Sequence, residues 1–147
     1  MGSTHSALHI HIVFGTKDRI PALKHEWQPR IHAYLGATLG GLGAVSLGVG
    51  GVADHVHMLA SLKTTHNVAD VVRETKKASC AWIRGEFRTP FAWQEGYGAF
   101  SVSPSHTARV IRYIADQERH HRRIGFAEEL RRILEGIGVP FDPAHLL

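Results

Sequence analysis

Asp54-His55-Val56-His57-Met58-Leu59 reads as the start of a strand running from His55 to Leu62. Side chains alternate between the two faces of a strand, so His55 and His57 point one way while Val56 and Met58 face a core. Leu8-His9-Ile10-His11-Ile12-Val13-Phe14 alternates in the same manner and reads as a first strand, closed by a turn at Gly15-Thr16-Lys17-Asp18. Between the two, Leu23, Trp27, Ile31, Tyr34, Leu35 and Leu39 recur at helical spacing over 21–42, with Pro29 marking a break or a new helix start. Residues 43–51, rich in glycine, read as a second strand with loose ends. After the histidine strand, Asn67 is placed to cap a helix over 68–87, and Pro90 stops it. Tyr97 to Val102 reads as a fourth strand. Ser103 or Ser105 caps a long helix to about Arg122, a weaker helix follows over 127–136, and the tail from Pro140 is irregular. Strand, helix, strand, strand, helix, strand, helix is the split βαβ order of an α+β, ferredoxin-like sandwich with an antiparallel sheet and one added C-terminal helix. In that topology the first and third strands are central neighbours. His9, His11, His55 and His57 are then expected on one open sheet face, beneath the added helix.

The 147 residues fit a single domain with one site, expected over 1–147, with its core at about 8–124 and a C-terminal helix and tail at about 125–147. A 44% hydrophobic and 20% charged composition is that of an ordinary globular chain, and no apolar run approaches the roughly 20 residues of a membrane helix. No secretory signal is visible. The one cysteine, Cys80, excludes an internal disulfide framework or a cysteine-based zinc cluster and fits a reducing cytoplasm. A net charge of +4 points towards a polyanionic partner. Twelve histidines supply metal ligands or groups that titrate near neutrality.

Two imidazoles on one strand face can share a metal ion, but H-x-H alone is as readily structural. The chain holds two such pairs. We prefer His55 and His57 because Asp54, at the strand start, can either steady a ring as an outer partner or shape the turn, and assign His9 and His11 to support or substrate contact. Metal hydrolases of the TIM-barrel class carry similar pairs but need about 200 residues or more. No phosphate-binding G-x-x-x-x-G-K-[ST] or G-x-G-x-x-G loop occurs, which argues against a nucleotide cofactor. On the late helix Tyr113 and Gln117 are four apart and share a face, so a phenol and an amide oxygen can approach the same ion, with His120 and His121 on the next turn. Core packing competes for Tyr113, and it is the better reading for Tyr34 and Tyr97. Arg73, Lys76, Lys77 and Arg84 on one helix, with Arg109, Arg112, Arg119, Arg122 and Arg123 on the other, form either solvated faces or the walls of a groove for a phosphate backbone. Trp82, Trp93, Tyr97 and Phe100 are candidate stacking partners there, against the blander alternative of core packing.

Four ordered segments, His11-Ile-Val-Phe-Gly-Thr-Lys17, Gly51-Val-Ala-Asp-His-Val-His-Met-Leu59, Phe91-Ala-Trp-Gln-Glu-Gly-Tyr-Gly-Ala-Phe-Ser-Val-Ser103 and Tyr113-Ile-Ala-Asp-Gln-Glu-Arg-His-His121, carry a resemblance. The chain resembles the single-tyrosine HUH transposases of the insertion sequence 200/605 group from about Leu8 to Phe141. The resemblance implies a homodimer of ferredoxin-like domains in which His55, His57 and Gln117 bind Mg2+ or Mn2+ and Tyr113 attacks DNA. Single-stranded DNA with hairpin ends is cut and rejoined through a 5′-phosphotyrosine, with the tyrosine acting on its own or on the partner's metal. It further implies a bacterial or archaeal cytoplasm and a nucleoid-associated substrate. A phenol with a pKa near 10 needs alignment and a metal-polarised phosphate to act at neutral pH. The rival reading is a domesticated protein of the same fold that binds hairpin DNA or RNA without transposing.

Overall fold

The computed structural model describes residues 2–146, and residues 1 and 147 lie outside them. Four strands, β1 (Leu8–Gly15), β2 (Val45–Val52), β3 (His55–Leu62) and β4 (Gly98–Val102), form one sheet in the order β2-β3-β1-β4, every pair antiparallel. This is the expected split βαβ topology, with β1 and β3 at the centre.

Alternation along the central strands divides the molecule into two cores. Ile12 and Phe14 of β1 and Val56, Met58 and Ala60 of β3 face helices α1 (Gln28–Gly41) and α2 (Val68–Phe87), where they meet Ile31, Leu35, Leu39, Val71, Val72 and Ile83. Pro29 lies in the first turn of α1, where its missing N–H costs nothing. Asn67 caps α2, its side-chain oxygen accepting from the Asp70 amide at 3.2 Å.

The opposite face of the sheet is not open. Helix α3 (Thr107–Ala115) lies over β2, and helix α5 (Phe126–Ile137) lies over β1 and β4, burying Val13, Phe126, Leu130 and Leu134 as a second core. The expected long helix is interrupted at Asp116 (φ −100°, ψ 19°), so that α4 (Gln117–His120) is a separate turn. The glycines of β2 have a packing reason. A Cβ on Gly50 would collide with the Ile114 carbonyl oxygen, and only glycine lets the backbone of α3 come down on the sheet here. Among the described residues no helix is long and apolar enough to cross a membrane.

Candidate functional site

Strand β3 carries His55 and His57, both fully buried, into the cleft between α3 and α5. Both point away from the α1/α2 core, as their alternation with Val56 and Met58 requires. Phe126, the first residue of α5, stacks on the His55 ring at 4.1 Å between centroids. The Tyr113 ring stands edge-on to His57, 5.7 Å away.

The side chains converge on a residue that the sequence reading missed, Glu129 of α5, which is 1% exposed. Its Oε1 lies 3.2 Å from His55 Nε2, 3.0 Å from His57 Nε2 and 3.0 Å from His121 Nε2. Its Oε2 accepts hydrogen bonds from the Tyr113 hydroxyl and, at 3.0 Å, from Gln117 Nε2. Gln117 Oε1 faces the same imidazoles, 3.1 Å from His55 Nε2 and 3.0 Å from His121 Nε2. His120 Nε2 is buried without a hydrogen-bond partner, 3.4 Å from Glu129 Oε2.

The outer nitrogens of the rings are held as well. His55 Nδ1 is 2.7 Å from Asp54 Oδ1, His57 Nδ1 is 2.8 Å from His11 Nε2, and His121 Nδ1 donates to the Ile124 carbonyl at 2.8 Å. Asp54 and His11 thus each lie against the outer nitrogen of one imidazole of the pair. Among the described residues the His9 side chain makes no hydrogen bond to this group, and its Nδ1 is buried without a hydrogen-bond partner.

Burial and charge pull the groups apart. Burial works against a charged His55, yet hydrogen bonds to Asp54 and Glu129 raise its pKa to about 9. Burial lowers His57, and it takes His11 to about 3 with help from neighbouring His57. Burial opposes ionisation of Asp54 and Glu129, but imidazole partners outweigh it and hold both below the usual carboxylate range. Burial and the adjacent Glu129 carboxylate push the Tyr113 phenol far above its ordinary value.

The donor set fits a divalent cation. Nε2 of His55, His57 and His121 and a carboxylate oxygen of Glu129 all lie within 4.8 Å of one another. Gln117 Oε1 joins them.

The expected groove between two basic helices is not formed, because α2 lies on the other face of the sheet from α3. Lys76 donates to the carbonyls of Gln94, Glu95 and Gly96, and Arg84 Nε donates to that of Phe91. Arg73 pairs with Asp70 and Glu74, while Lys77 is exposed on that same helix. Trp82 stacks on Tyr34, and Trp93 is buried against Phe14. Beside the imidazoles, Arg119, Arg123, Arg132, His120, Asp116 and Ile124 instead line a depression of about 320 Å³, and Arg109 and Arg112 are exposed on α3.

Two solved structures share the fold. One, a candidate transposase from Deinococcus radiodurans R1, is 23% identical with a TM-score of 0.64 over 80% of this chain and 98% of that one. The other, a REP-associated tyrosine transposase bound to a REP hairpin, is 12% identical with a TM-score of 0.59 over 82% of this chain and 74% of that one. No curated protein sequence matches the chain. The family model described as "Transposase IS200 like" matches residues 4–117, from ahead of β1 through the sheet and the Tyr113 helix to Gln117. On that match, the chain belongs to the IS200-like transposases, a family of DNA-processing enzymes.

Proposed function

We propose that this protein cuts and rejoins single-stranded DNA at the hairpin-bearing ends of an insertion sequence, with Tyr113 as nucleophile and a divalent cation held by His55, His57 and Gln117. The observation that carries this reading is the meeting of the Tyr113 hydroxyl with the imidazole and amide donors around one carboxylate, inside a single chain. In a homodimer, as the family resemblance implies, the tyrosine serves either these imidazoles or those of the partner.

A divalent cation held by His55, His57 and Gln117 would polarise the scissile phosphate and offset its charge. The Tyr113 oxygen attacks phosphorus, forming the Tyr113 O–P bond while the P–O3′ bond breaks. The phenol loses its proton, and the departing oxygen gains one to become a 3′-hydroxyl. The 5′-phosphotyrosyl bond keeps the energy of the phosphodiester, so an incoming 3′-hydroxyl can reverse the step and join a new strand without a nucleotide cofactor. Asp54 holds His55, and His11 holds His57, in the orientations that aim Nε2 at the site. The arginines of the depression beside His120 are placed to hold the phosphate backbone. The hairpin in the REP-associated relative supports a hairpin-bearing substrate here.

The test is incubation with labelled hairpin oligonucleotides carrying varied single-stranded flanks, in Mn2+, Mg2+ or EDTA, followed by denaturing electrophoresis. We expect a metal-dependent protein–DNA adduct mapping to Tyr113, absent in Tyr113→Phe although the variant still binds hairpins. An adduct in Tyr113→Phe would move the nucleophile to Tyr34 or Tyr97. Binding without any adduct would favour a protein that holds hairpins without transposing.

A further inference from the structure

We infer that α5 supplies a metal ligand: Glu129, together with His121, extends the His55/His57 pair into a three-imidazole, one-carboxylate site selective for first-row transition ions over Mg2+. This rests on the metal of the proposed function but concerns residues beyond the stretch shared with the family, which ends at Gln117.

Three observations lead here. The Glu129 carboxylate is buried, and among the described residues no lysine or arginine pairs with it, imidazoles being its only basic partners. A buried carboxylate needs positive charge beside it, and a cation among the imidazoles would supply that charge without protonating them. Secondly, each of the three rings has its outer nitrogen held, by Asp54, His11 or the Ile124 carbonyl, and turns its inner nitrogen to the same oxygen, Glu129 Oε1. Outer hydrogen bonds that fix ring orientation are the habit of ligating histidines. Thirdly, separations of 3.0–3.2 Å between that oxygen and the three nitrogens are within a few tenths of an ångström of the roughly 3.3–3.6 Å between tetrahedral ligands at bonds of about 2.0–2.2 Å.

The donor chemistry then sets the preference. Imidazole nitrogens favour Mn2+, Co2+ or Zn2+ over Mg2+, which prefers oxygen and water. A contrary role for Glu129 is a plug that pairs with Tyr113 and the imidazoles and must leave before a cation enters. The two roles predict opposite signs.

Titration calorimetry of the full chain with MnCl2 and with MgCl2 separates them. We expect one Mn2+ per chain, bound more tightly than Mg2+, and an affinity at least about tenfold weaker in Glu129→Gln. Unchanged or tighter Mn2+ binding by Glu129→Gln overturns the assignment while leaving the proposed function intact. Mg2+ bound as tightly as Mn2+ overturns the selectivity. Wild-type protein that binds no divalent ion overturns this assignment and the metal of the proposed function together.

Hydrogen exchange on the wild-type chain gives a readout free of substitution. Added Mn2+ slows exchange across the α5 amides if Glu129 ligates, and faster exchange there overturns the assignment. His57→Ala is the control, in which the Mn2+ effect on α5 disappears.

Discussion

His32 is a half-buried imidazole outside the site whose buried Nε2 has no hydrogen-bond partner among the described residues, and desolvation lowers its pKa from 6.5 to about 4. Between those values the unfolded chain binds a proton at this position that the folded chain refuses. Stability therefore falls as pH drops from about 6.5 towards 4 and is fully present above that window. His32→Gln should flatten this part of the pH profile, measured as the urea midpoint at pH 7 and at pH 5; an unchanged slope would assign the acid sensitivity to other groups. The same scale shows what the sequence could and could not tell. His55 and His57 were legible because strand alternation alone puts them on one face, and Asp54 because it abuts them in sequence. Glu129 was not legible: it meets His57 from 72 residues away, and on an amphipathic helix rich in Glu and Arg it resembles any solvated carboxylate. The one sequence signal was its place among Phe126, Leu130 and Leu134, on the buried stripe of α5 rather than on its polar side.

At the scale of elements, the position of Tyr113, the proposed nucleophile, is decided by how closely α3 lies on β2. Gly50→Ala puts a methyl group against the Ile114 carbonyl, one residue from Tyr113, and the helix must lift or tilt. Overpacking of this kind costs about 1–3 kcal/mol. We expect adduct formation to fall much more than that loss of stability explains, because a displaced phenol loses its alignment; thermal unfolding alongside the adduct assay checks it. Alternation located β1 and β3, Pro29 marked the start of α1 within a longer periodic window, and periodicity located α2 and α5. It ran the Tyr113 helix on through Asp116, because no proline or glycine marks that break and Gln117 remains four residues from Tyr113. The interruption arises from tertiary contacts, with Gln117 drawn inward to the imidazoles and Glu129. The basic residues of α2 were open to two readings, a solvated face or one wall of a groove, because helical spacing shows which residues share a face, not which side of the sheet the helix takes.

Across the whole molecule, a net charge of +4 combines with arginines gathered beside the site on α3, α4 and the turn before α5. Hairpin binding should weaken as salt rises, because each neutralised phosphate releases counterions. Replacing Arg119 and Arg123 together should reduce both the affinity and the steepness of its dependence on log salt, whereas Lys77→Ala, on the far face of the sheet, should change neither appreciably. Equal losses from both would place the DNA across the two faces. The order of strands in the sheet also has a consequence for how the chain is made. β1 is the first strand to leave the ribosome, yet its neighbours are β3 and, roughly 80 residues later, β4. At ~5–20 residues per second, one edge of β1 stays without its partner for roughly 4–16 s of synthesis. Through that interval the N–H and C=O groups along that edge of β1 are open to other strands, and Val13, which α5 covers in the finished chain, is still bare.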